Sequence, residues 1–251
     1  ERPRGGFAAG LRSMVNGMDI TVVGTGLASL APERATLTLS AAHEGADKAQ
    51  VLARTSELVQ ALTTEIARLR DHESKPTTWS AVLPIGTRSW RPWSEKGEVL
   101  PLRHAASSTI RIKFRDFRAL SGFADAWGGV EGITLGGVEW TLTEEVQKKT
   151  EREVLAQAVE QARERAQVLA TAGGGGRVRC IELADPGLLS DRASTEMAPK
   201  AMAMRSGAYA GDSGGSGGIE IAPQDVEVEA QINARFVADV ADPSGEPAAR
   251  A

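Results

Sequence analysis

Residues 144–172, EEVQKKTEREVLAQAVEQARERAQVLATA, decide the reading of the fold. Val146, Leu155, Ala158, Ala162, Ala166 and Leu169 fall on one side of a helix with the 3.6-residue period, and the small alanines let that helix lie close to a sheet. Glu144 and Glu145 suit the positive end of the helix dipole, and Gly173 to Gly176 supply a stop. Working outward, Ile133 to Leu142 reads as a strand before the helix and Val178, Ile181 and Leu183 as one after it. From Val226 to Phe236, apolar and polar residues alternate over more than ten positions, the strongest strand pattern in the chain.

The N-terminal half repeats the theme. Ile20, Val22 and Gly24 alternate with Thr21 and Val23, Gly26 to Pro32 punctuates the strand, and Ala35, Leu37 and Leu39 begin a second one. Asp47 with Gln50 three residues on forms a capping box, and Leu52, Val59, Leu62, Ile66 and Leu69 carry a second long helix to about Arg70. Thr78 to Leu83 and a run ending in Ile110, Ile112 and Phe114 read as a long hairpin turning near Ser94 to Gly97. Phe117, Leu120 and Phe123 mark a short helix that stops at Gly128 and Gly129. The expectation is an α+β fold: an antiparallel-rich sheet with two long helices packed on one face, in a single domain over residues 19–238. A flexible segment is expected at 1–18, a mobile loop at 186–218 and a disordered tail at 239–251.

Composition narrows the function classes. The 251 residues, 41% hydrophobic and 25% charged, are enough for a self-sufficient core. A net charge of −4 argues against non-specific binding of nucleic acid or anionic membranes, and no apolar run is long enough to span a bilayer. One cysteine, Cys180, excludes an intrachain disulfide and a cysteine-rich zinc site. No export signal stands in residues 1–18. A start at Met14 or Met18 gives a cytoplasmic protein, whereas a signal removed upstream of Glu1 gives an exported one.

Gly24-Thr25-Gly26 after a strand matches the opening of a dinucleotide-binding turn, but Ser29 occupies the third glycine position and Pro32 leads into another strand. No helix N-terminus is then available for a phosphate. His43, His72 and His104 lie on separate elements without ligand spacing, and Cys180 sits in an apolar strand as a small core residue. No Gly-x-Ser-x-Gly elbow occurs between a strand and a helix. The reading is therefore non-enzymatic, with no cofactor and no metal.

Trp79, Trp90 and Trp93 cluster in the hairpin with Arg88 and Arg91, either as a contact surface or as rings covering the hairpin's own sheet. Stacking on single-stranded nucleic acid is set aside for want of a basic stripe. Met14, Met18, Met197, Met202 and Met204 all lie outside the expected core; those from 197 to 204 mark either an oxidisable contact segment or a floppy loop. Trp90, Trp93, Met202 and Met204 are the candidate contact residues.

The order Ile20, Val22, Gly24, Gly26, Pro32, Glu33, Ala35, Leu37 resembles the opening of the SIMPL-domain family. So do Thr77 and Thr78 after the first helix, Gly136 and Gly137 before the alanine-rich helix, Gly173 after it, and the closing Ile221, Pro223, Gln224, Val226, Val228, Ala230 strand. The resemblance implies an α+β fold, ring-like or larger homo-oligomers and an association with oxidative-stress tolerance, and it supplies no catalytic residues. The leading expectation is a self-assembling scaffold or adaptor. The alternative is a module that binds a small apolar ligand or peptide between helices and sheet.

Overall fold

Asp47 caps helix α1 (Lys48–Asp71), its carboxylate accepting the Ala49 and Gln50 amides at 2.8 and 3.2 Å, as the capping signal predicts. Asp116 does the same for helix α2 (Phe117–Gly128), which ends where the paired glycines stand. A computed structural model describes residues 17–95, 98–189 and 221–240. Eight strands and three helices in these residues confirm the α+β class. The described residues fall into two compact units, 29–147 with 221–227, and 17–28 with 148–189 and 228–240.

The first unit holds a five-stranded antiparallel sheet. Its members are β2 (Arg34–Gly45), β3 (Thr77–Val82), β4 (Gly86–Trp90), β5 (Arg103–Phe114) and β6 (Ile133–Thr141). Their order is β3-β5-β2-β6, with β4 continuing along β5 where β3 leaves off. Counting β3 and β4 as one interrupted arm, the chain runs β-α-β-β-α-β, the split βαβ arrangement of ferredoxin-like domains. Alternation sets one face inward: Ala35, Leu37, Leu39 and Ala41 of β2 and Ile110, Ile112 and Phe114 of β5 are buried with Leu62 and Ile66 of α1 and Leu120 and Phe123 of α2. The long hairpin is present, interrupted around Leu83, whose amide and carbonyl bond Thr109 and the Ser108 hydroxyl.

The second unit packs helix α3 (Glu144–Ala172) on a three-stranded sheet ordered β1-β8-β7, from β1 (Gly17–Leu30), β7 (Gly175–Ala184) and β8 (Val226–Val240). Ile20, Val22, Ile232, Ala234, Phe236 and Ala238 meet Ala158, Ala162, Ala166 and Ala170 of the helix. The helix bounds match the sequence reading, but the buried stripe is Thr150, Val154, Ala158, Ala162, Ala166, Ala170, spaced every four residues. Leu155 and Leu169, placed on the inner face by the sequence, are exposed. In α1, likewise, Val51 and Thr55 are buried and Leu52 is exposed.

Two further expectations are corrected. The strands form two sheets, and the helices sharing a face are α1 and the short α2, while α3 has a sheet of its own. Gly26 does not break β1, which runs on to Leu30. A side chain on Gly24 would meet the Ala158 carbonyl oxygen and lie 2.8 Å from the Ala162 methyl, and one on Gly26 would meet the Val154 carbonyl oxygen. These glycines bring a strand against a helix backbone, the close approach that a missing Cβ permits. Met18 lies in β1 and packs against the same cluster, so it belongs to the core's margin rather than outside it.

Ahead of α3, the Thr143 amide and hydroxyl both donate to the Glu33 carboxylate, at 2.9 and 2.5 Å. The hydroxyl bond first, then the amide bond, hold the Glu33 carboxyl below its ordinary value. A lowered carboxyl contributes stability above the ordinary carboxylate range, and that contribution is lost as pH falls through the lowered value. Glu33→Gln is expected to cost about 1 kcal/mol at neutral pH and nothing near pH 2, measured by urea unfolding at both.

Candidate interaction surface

Four residues carried the contact expectation. Trp90 closes β4, half-buried, with the Arg88 guanidinium 4.7 Å above its ring and Arg88 paired to Glu44 at 3.3 Å. Trp93 lies three residues further, 81% exposed, in the connection to β5, where Val99 is 82% exposed. Arg91 ties that connection to itself by donating to the Leu100 carbonyl at 3.0 Å. Met202 and Met204, with Met14 and Met197, lie outside the described residues.

Trp79 is not part of this cluster. It stands opposite Lys113 while Trp90 stands opposite Arg103, ten residues away on β5 and so about 33 Å off. Around Trp79 the structure brings out a feature the sequence reading missed. Ile110, Ile112 and Phe114 are fully buried against the helices, which turns Arg111 and Lys113 to the opposite face, and Arg115 follows in the bend after β5. The signal is the alternation Ile-Arg-Ile-Lys-Phe-Arg from 110 to 115, a local basic stripe hidden by an acidic overall charge. Trp79, 50% exposed, flanks Lys113.

The stripe leads to an open depression of about 650 Å³ lined by Arg70, Asp71, Lys75, Thr77, Thr78 and Arg115. Asp71 is bonded to Arg70 at 3.0 Å, and that bond holds the Asp71 carboxyl below its ordinary value. Lys75 adopts a left-handed φ of 44°, and Arg115 steadies the turn by donating to the Ser74 carbonyl at 2.7 Å.

A family comparison covers nearly all of this framework: the SIMPL model, described as a protein of unknown function (DUF541), matches residues 20–236. The chain belongs to the SIMPL family. No curated protein matches it. The family description carries no activity, and a shared fold by itself assigns none.

The histidines of the SIMPL chain serve local roles. His104 shares a 2.7 Å hydrogen bond with Ser89, His72 one of 2.9 Å with Ser74, and His43 lies 3.4 Å from the Thr55 hydroxyl. Among the described residues, no three His, Cys, Asp or Glu side chains converge as a metal site would require. Cys180 is half-buried at the edge of the second core cluster. No helix among the described residues is long and apolar enough to cross a membrane.

A second row mirrors the basic one. Asp225, Glu227 and Glu229 are exposed and alternate with buried Val226 and Val228 at the start of β8. On β1, Leu27 is 59% exposed, and the Ser29 hydroxyl donates to Asp225 at 3.4 Å.

Proposed function

We propose that this SIMPL protein is a non-enzymatic, self-assembling scaffold or adaptor. The observation that carries the reading is the pair Trp93 and Val99, more than four-fifths exposed beside β4, which among the described residues pairs with β5 alone and so lies along a sheet edge. Large apolar side chains next to unpaired strand groups are a template for contact with another chain. Support for a surface rather than an internal ligand site comes from the helix–sheet space, which Leu37, Ile112, Phe114, Leu62 and Leu120 fill. We place the protein in the cytoplasm, with export as the alternative, and extend the proposal to stress tolerance, which survival of a deletion strain under peroxide would test.

The direct test is Trp93→Ser with Val99→Ser, followed by light scattering. The native protein is expected to give a multiple of the chain mass and the variant a smaller one. Unfolding should shift by no more than about 0.5 kcal/mol, because both side chains are already in water. A native protein that stays monomeric at working concentration would remove the reading.

A further inference from the structure

The two charged rows have the same period. Successive outward side chains on a strand are about 6.8 Å apart, so Arg111 and Lys113 of β5 present two cations at the spacing at which Glu227 and Glu229 of β8 present two carboxylates, with Arg115 and Asp225 just beyond the ends of those strands. All but Lys113, which is half-buried, are exposed. None of the six has an ion-pair partner among the described residues. Each row also has an apolar neighbour, Trp79 beside Lys113 and Leu27 on β1 near the Ser29–Asp225 bond. Glu139 stands across β2 from Lys113, and Asp71, at the end of α1, is engaged by Arg70.

We propose that the basic row of one copy docks on the acidic row of a second copy, Arg111 and Lys113 facing Glu227 and Glu229. The inference rests on the self-assembly reading and adds, to the Trp93–Val99 edge, a second and separate contact between copies. Because the two rows are different patches, the contact is heterologous: every copy offers one row to each of two neighbours, and assembly proceeds head to tail into a ring or a filament. Matched charge sets register and suppresses other alignments, while Trp79 and Leu27 supply apolar area at the same place.

The experiment is a charge swap in the full chain, read by analytical ultracentrifugation at low and high salt. Arg115 and Asp225 are left intact because they hold the Ser74 carbonyl and the Ser29 hydroxyl. Arg111→Glu with Lys113→Glu, and separately Glu227→Lys with Glu229→Lys, are each expected to weaken association at least tenfold. Mixing the two variants, or combining all four substitutions in one chain, is expected to restore it. Should reversal disturb folding, Arg111→Gln with Lys113→Gln gives a milder version, expected to reduce the salt dependence of association. A native assembly that the reversals leave intact, or one they abolish without rescue on mixing, overturns the row pairing while leaving self-assembly standing. A monomeric native protein removes both. Loss of affinity for a single-stranded oligonucleotide on reversing the basic row, with assembly unchanged, would assign the row to a polyanion instead.

Discussion

Gly24→Ala is expected to destabilise the protein by about 3 kcal/mol or to prevent the three-stranded sheet from forming. The new methyl would meet the Ala158 carbonyl oxygen and lie 2.8 Å from the Ala162 methyl, and neither can swing aside as a flexible side chain would. Relief requires α3 to move off β1, which opens the seam between Ile20, Val22 and the alanine stripe. Adding Ala162→Gly removes the methyl contact but not the carbonyl one, so less than half the loss should return. Thr21→Ala on the exposed side of β1 is the control and should stay within about 0.5 kcal/mol. Denaturant unfolding measures all three, and a Gly24 variant as stable as the control would show that helix and strand are not so closely apposed.

Phe114→Ala is expected to cost about 3–5 kcal/mol, a large share of the stability of an ordinary domain. Phe114 is fully buried at the end of β5, opposite Ala35 and Thr77, with the Phe123 ring 5.9 Å away. Truncation leaves a void between β5 and α2 that the flanking Ile112 and Leu37 can fill only by leaving their own positions. Because the two core clusters are separate, hydrogen exchange should accelerate first in β2, β5 and α2 for this variant and first in β1, β8 and α3 for Gly24→Ala. Identical patterns in both would mean that the clusters melt as one.

The elements themselves were legible because their signals are local. Asp47 and Asp116 cap where helix starts are expected, Gly129 and Gly173 follow helix ends, and β8 alternates throughout. The partition into two sheets was not legible, since it depends on β1 pairing with β8 across most of the sequence. Gly24 and Gly26 looked like punctuation because their reason, the backbone of α3, lies some 130 residues away. The buried stripe of α3 was misjudged because Thr150 and the alanines carry less hydrophobic weight than Leu155 and Leu169, which face water. As for the surface, Trp93 was found as an exposed aromatic, while the stripe at 111–115 was lost in a net charge averaged over the chain.

The pairing of β1 with β8 bears on how the protein is born. At ordinary rates of synthesis, about 5–20 residues each second, β1 leaves the ribosome roughly 10–40 seconds before its hydrogen-bonding partner exists. The five-stranded sheet can close during that wait, whereas β1 remains a bare, alternating strand whose edge invites any nascent neighbour, and polysome-bound copies are where a holdase chaperone should be found on it.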